Sequence, residues 1–420
     1  MESRALVAGP DAPVEMRAAG RFREADSSLI STVVAESCAE AFEPQLRALI
    51  LIGSLAREEG TFVPMESGTV LLGDAEFLLL FHDQFPLPAA DRVAGLESAV
   101  QARLRREGLQ AEVELSPCHS RYLRSLEPHV LAYEIKACGR TVWGDPDVLS
   151  LVPSFSREQI PREDAWRLLC NRLVELLEPL AALRWPCPGP SRALRYRTAK
   201  LYLDMATSFL VFAGAYAPTY RDRAQALRRL AERGGPPVDC PLPLAAFASR
   251  VEACTRYKLD PTGGEELGSW TSWGETIDEA HALWRWELAR LTGASEGATD
   301  HALRERWRRR QPARARVRGW LHVLRNRGWH RSWRQWRRWA RLGVRSNPRL
   351  GVYLAGTELV FALSGRLAGD NPSDLECAEL TSSLPVRMSS TARGGGGAPW
   401  QDAARDVFLN YHEFLVGTRS

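Results

Sequence analysis

Hydrophobic and polar positions along this chain change period near residue 153. Before it, short apolar runs alternate with amphipathic stretches. Residues 49–52 (LILI), 71–81 (LLGDAEFLLLF) and 111–115 (AEVEL) read as strands. Residues 28–46, 91–107 and 122–138 read as helices, with Pro128 starting or interrupting the last. This alternation predicts an α/β module. Beyond it, apolar residues recur at helical spacing over 160–183, 193–214, 220–233, 244–258 and 276–292, which predicts a helical bundle.

Within the first module, an apolar strand runs into Gly53-Ser54, and a second carries Asp74 and Glu76 two residues apart. Side chains alternate along a strand, so the two carboxylates share one face while Ala75 and Phe77 take the other. Adjacent carboxylates repel unless a cation lies between them. Magnesium, a hard ion that prefers oxygen ligands and phosphate, fits that place.

Residues 49–81 resemble the nucleotidyltransferase superfamily, which includes DNA polymerase β and the aminoglycoside nucleotidyltransferases. Its pattern is an apolar strand, G-[GS], a helix, then [DE]-h-[DE]-h, where h is apolar. Gly53-Ser54 and Asp74-Ala75-Glu76-Phe77 match it. The resemblance spans about residues 27–152. It implies an α+β module with a small mixed sheet, closed by a strand and glycine turn at residues 140–146 (RTVWGDP), and followed by a mainly α-helical C-terminal region. Residues 62–73 read as an inserted loop, glutamate replaces the commoner aspartate at Glu76, and Glu58 stands where the family often has glycine.

The resemblance also implies an activity. A nucleoside monophosphate would pass from a nucleoside triphosphate, ATP foremost, to a hydroxyl on a small molecule or macromolecule. Two Mg2+ ions would be held by Asp74, Glu76 and a third carboxylate, Glu112 or Glu114, which would also accept the acceptor's proton. Both of the latter lie on one face of AEVEL, so the residues leave that choice open. Gly53 and Ser54, with the N-terminus of the helix after them, would meet the triphosphate. Tyr202, Asp204 and Tyr216 could face an acceptor pocket, although each taken singly reads first as an ordinary core or surface helix residue. The alternative is an inactive member of the fold that acts as a scaffold or regulator.

Composition changes this picture in one place. The formal net charge is only +4, yet residues 304–349 hold seventeen arginines against one acid, Glu305, so the rest of the chain carries −12. Six tryptophans lie in the same segment. Trp329, Trp333, Trp336, Ala340 and Val344 fall at helical spacing with arginines between them. Such a helix could lie on an anionic membrane surface, bind nucleic acid, or pack its tryptophans inside the protein.

The divisions expected are a flexible N-terminal tail (1–25), the nucleotidyltransferase module (26–152), a helical bundle (153–300), the basic amphipathic segment (301–349), and a helix, Ser/Gly-rich linker and C-terminal helix (350–420). Eight cysteines without a C-x-x-C pair suit free thiols in a reducing compartment. No secretory signal or membrane-spanning run is read. The expected location is cytoplasmic, with peripheral membrane attachment through residues 304–349 as a variant.

Overall fold

The computed structural model describes residues 14–184, 189–233, 240–261, 270–295, 297–327, 335–364, 366–367, 377–386 and 399–414. Contacts divide the chain into two units. The first comprises residues 1–160, 218–220 and 256–263, and the second comprises 161–217, 221–255 and 264–420.

In the first unit, α1 (Val14–Phe42) leads to β1 (Leu46–Ile52) and a single helical turn, α2 (Gly53–Ala56). There follow β2 (Phe62–Met65), β3 (Gly68–Phe81), α3 (Ala90–Arg106), β4 (Leu109–His119), α4 (Ser120–Arg124), α5 (Val130–Cys138) and β5 (Arg140–Gly144). The sheet is mixed. β1 lies antiparallel between β3 and β5, β2 pairs antiparallel with the start of β3, and β4 runs parallel along β3. The expected tail is helical from Val14. The expected insertion at 62–73 is a β-hairpin whose turn, Glu66-Ser67, is closed by the pairing of Met65 with Gly68. Pro64 does not break it, because four residues pair there with β3 alone.

Helices cover the sheet unequally. One face packs Phe77, Ala75, Val113 and Leu115 against Ile30, Val34 and Cys38 of α1 and Val100 and Leu104 of α3. On the other face, Leu78 and Leu80 meet Leu123 of α4 and Ala132 and Ile135 of α5. Asp74 and Glu76 precede Leu78 on that same face. The strand thus turns from polar to apolar there, leaving Asp74 exposed and Glu76 half-buried.

The second unit is helical: α6 (Arg162–Glu175), α7 (Leu177–Ala181), α8 (Arg192–Phe212), most of α9 (Tyr220–Glu232) and α10 (Leu244–Leu259), α11 (Trp270–Thr292), α12 (Asp300–Arg310), α13 (Ala313–Arg327), α14 (Trp336–Arg345), α15 (Pro348–Leu363), α16 (Cys377–Leu380) and α17 (Pro399–Phe414). Local signals set several starts. Ser191 and Asn347 cap α8 and α15 by accepting from Leu194 N and Leu350 N, and Pro348 opens α15. Tryptophans build the core. The Trp166 ring lies 5.5 Å from Trp307 and 6.1 Å from Tyr353, each edge-to-face, and Trp284 and Trp400 are fully buried.

The structure narrows three sequence expectations. The stripe Trp336–Ala340–Val344 faces outward, and Trp339 is the buried residue of α14. Trp329 and Trp333 lie outside the described residues. Part of the expected 371–399 linker is packed, with Leu384 fully buried and Pro385 O accepting from Trp339 Nε1 at 2.8 Å. Tyr202, Asp204 and Tyr216 are core residues of this unit. Asp204 pairs with Arg172 at 2.5 Å, the Tyr202 hydroxyl donates to Glu279 at 3.0 Å, and the Tyr216 hydroxyl accepts from Arg223 at 2.7 Å. No helix among the described residues is long and apolar enough to cross a membrane, and the seven described cysteines are free thiols.

Candidate active site

The parallel pairing of β3 with β4 builds the site. Asp74 lies beside Glu112 and Glu76 beside Glu114, so all four acids belong to one face. The register depends on an irregularity just upstream. Val70 pairs with Gln110 and Asp74 with Glu112, so four steps on β3 match two on β4. Gly73 at φ +122° lies within that bulge, in a conformation that side chains rarely adopt.

Carboxylate oxygens of Asp74, Glu76 and Glu114 lie within 4.8 Å of one another. Glu112 is exposed and is not part of this group. The geometry therefore draws a distinction between Glu112 and Glu114 that alternation could not. Three hard oxygen donors at this spacing match the ligand preference of Mg2+ and lack the nitrogen and sulfur donors typical of structural zinc.

Gly53 abuts the same group. It follows Ile52, whose strand partner is Glu76, and turns the chain at φ +69°. A Cβ at this position would overlap Oε2 of Glu76. Ser54 comes next and is half-buried. The helix after it is the four-residue α2, too short to add the aligned dipole expected at a helix N-terminus. Any donors to a phosphate would thus come from the Gly53-Ser54 turn and the Ser54 hydroxyl.

The turn leaving α2 has the hydrogen bonds of a Schellman motif: Glu59 N donates to Ser54 O at 2.8 Å and Glu58 N to Leu55 O at 3.1 Å. That motif needs a left-handed residue, and Glu58 occupies it at φ +61°. The position that often carries glycine in the resembled family is thus one where glycine is physically favoured. Glu58→Gly is expected to raise stability by about 0.5–1 kcal/mol, since relief of a left-handed side chain outweighs an exposed ion pair to Arg140. A thermal melt showing a lower midpoint would contradict this.

An ionic network not evident in the sequence holds this turn. Arg57 pairs with buried Glu59 at 3.3 Å and with Glu134 of α5. Glu59 also accepts from Tyr220 N at 2.9 Å. Thr61 Oγ1 donates to Lys258 O at 2.6 Å and accepts from Lys258 Nζ at 2.5 Å. Glu59 could be singled out by its place after Gly53-Ser54. Glu134 and Lys258 carry no comparable signal, because their partners are distant in sequence.

No family model and no curated protein matches this chain. Among solved structures, a spectinomycin adenyltransferase from Enterococcus faecialis, with ATP and spectinomycin, matches at a TM-score of 0.33 and 14% identity, over 60% of this chain and 97% of that one. Similarity at that level transfers no chemistry.

Proposed function

We propose that this protein is a metal-dependent nucleotidyltransferase that moves a nucleoside monophosphate from a nucleoside triphosphate, ATP foremost, to a hydroxyl acceptor. The observation that carries this reading is the grouping of Asp74, Glu76 and Glu114 against the Gly53 turn. Those residue types in that order also form the sequence pattern of the superfamily. Asp74, Glu76 and Glu114 would hold Mg2+, two ions in the resembled pattern. The metal would neutralise the triphosphate and the charge that develops as pyrophosphate leaves.

The protein's own groups complete the reaction. The acceptor oxygen forms a bond to the α-phosphorus as the bond to the pyrophosphate oxygen breaks. Glu114 accepts the proton of the attacking hydroxyl. The Gly53-Ser54 turn lets backbone N–H groups approach the phosphates. Because such transfers need little covalent participation from protein, positioning and charge supply most of the rate. The acceptor class suggested by the sequence resemblance is a small hydroxylated molecule.

Calorimetric titration with ATP, with and without Mg2+, tests this reading. The wild-type protein should bind ATP only with the metal. Glu114→Gln should weaken that binding about 10- to 100-fold, whereas Glu112→Gln should change it less than about threefold. Equal losses in both variants would remove the distinction between them. Metal-independent binding, or none, would overturn the proposal.

A further inference from the structure

The helical pair α13–α14 has an apolar core and a second apolar surface. Its inner contacts are Val323 and Trp339, with Trp320, Leu324 and Val386 packed against them. The Trp320 and Trp339 rings lie 6.1 Å apart, and Trp320 Nε1 donates to Ser346 O at 2.9 Å. Outside this core, Val317 (60% exposed), Leu321 (54%), Trp336 (57%) and Val344 (76%) are among eight exposed large apolar residues on the described surface. Half of that set thus falls on one pair of helices.

These residues form one surface. Arg316 and Trp320 of α13 face α14, and Trp339 and Gly343 of α14 face α13. Val317, Leu321, Ala340 and Val344 each follow one of them, rotated about 100° in the same sense. Trp336 precedes Ala340 by about one turn. In an antiparallel pair, equal rotations bring both stripes to the same side.

The helical pair itself carries charge of one sign. No Asp or Glu occurs between Glu305 and Glu358. Arg314, Arg318 and Arg337 lie on the pair without an ion pair among the described residues. Arg316 and Arg341 donate to the carbonyls of Val344 and Arg337 and face no carboxylate there. Arg316, Arg341 and Val344 also line an adjoining groove of about 1420 Å³, whose far wall holds Arg304 and Arg308 paired with Glu358 and Glu305. The apolar surface therefore continues through Val344 to Arg316 and Arg341 at the near wall of that groove.

We propose that α13–α14 docks on an anionic phospholipid surface. Val317, Leu321, Trp336 and Val344 enter the headgroup region, and arginines of the pair, Arg316 and Arg341 among them, hold lipid phosphates. The mixture of aliphatic and cationic side chains decides among polyanions. Exposed valine and leucine gain free energy at a bilayer interface but gain nothing from a phosphodiester backbone. Base stacking would have one exposed described aromatic, Trp336, to use. Attraction of arginine to anionic headgroups supplies the second signal that stable peripheral attachment needs. This inference is independent of the nucleotide site.

Co-sedimentation of the full-length protein with phosphatidylcholine vesicles, with and without phosphatidylglycerol, tests it. The protein should pellet with the anionic vesicles, with weaker binding at high salt. The paired substitutions Trp336→Ser with Val344→Ser should reduce the affinity about tenfold, as should Arg316→Gln with Arg341→Gln. Circular dichroism should show both variants folded. Quenching of tryptophan fluorescence by bromolipids should fall in the Trp336→Ser variant. Absence of vesicle binding, or binding unchanged in both variants, would overturn the inference. So would tight single-stranded RNA binding without vesicle binding, or a dimer that Trp336→Ser with Val344→Ser dissolves and vesicles do not compete with.

Discussion

Gly53→Ala is expected to reduce divalent-metal affinity about 10- to 100-fold while leaving the protein folded. Two effects act together. Alanine at φ +69° costs about 1–2 kcal/mol of backbone energy, which a domain of ordinary stability survives. The added methyl also claims the space of Glu76 Oε2. The carboxylate must rotate away, separating it from Asp74 and Glu114. Titration with Mn2+, followed by its paramagnetic signal, reads the metal directly, and a thermal melt reads the backbone cost. A variant that loses stability but binds Mn2+ like the wild type would reduce Gly53 to a turn residue. Because the change removes no ligand, loss of binding would report geometry and not the chemistry of a missing carboxylate.

The parts of the site that a local pattern encodes were legible in the sequence. Alternation alone places Asp74 and Glu76 on one face, and Gly53 ends an apolar strand before a turn. Separating Glu114 from Glu112 required more, because both obey the same alternation. Their difference arises from the β3–β4 register, which the bulge around Gly73 sets through a non-local pairing. The hairpin at Phe62–Leu71 reads locally as a loop, because Pro64 and Gly68 are ordinary loop residues. Its pairing depends on a neighbour strand, not on local propensity.

The arginine–tryptophan segment illustrates a different limit. On α14, Trp336, Ala340 and Val344 form a regular stripe, and so do Trp339 and Gly343. Periodicity identifies a helix but not which of two apolar stripes is buried. Packing decides it here: Trp339 meets Trp320 and bonds to Pro385 O, while Trp336 remains outside. A similar ambiguity covers the described part of the 371–399 segment, residues 377–386. Its Ser/Thr/Gly composition hides Cys377 and Leu384, two buried anchors that a composition average cannot register.

Glu287→Gln should flatten the dependence of folding stability on pH and stabilise the protein under mildly alkaline conditions. Glu287 sits on α11 with no exposed surface, close to Cys170 of α6, and accepts from Ser208 Oγ of α8 at 2.6 Å. Its Oε2 has no hydrogen-bond partner among the described residues. Burial pushes the carboxyl up to about 8 from an ordinary value of 4.5, and the Ser208 bond offsets only part of that rise. Below pH 4.5, folded and unfolded chains both hold the proton, so this group gives no slope. Between 4.5 and about 8 only the folded chain holds it, so unfolding releases a proton and stability falls as pH rises. Above about 8 the folded group is ionised too, and the full penalty is present. Glutamine keeps the shape and the acceptor for Ser208 but cannot ionise. The variant should match the wild type near pH 4.5 and exceed it by on the order of 4 kcal/mol at pH 8. Urea unfolding at a series of pH values measures the difference. Parallel curves for the two proteins would mean that water or a neighbouring cation already compensates the charge.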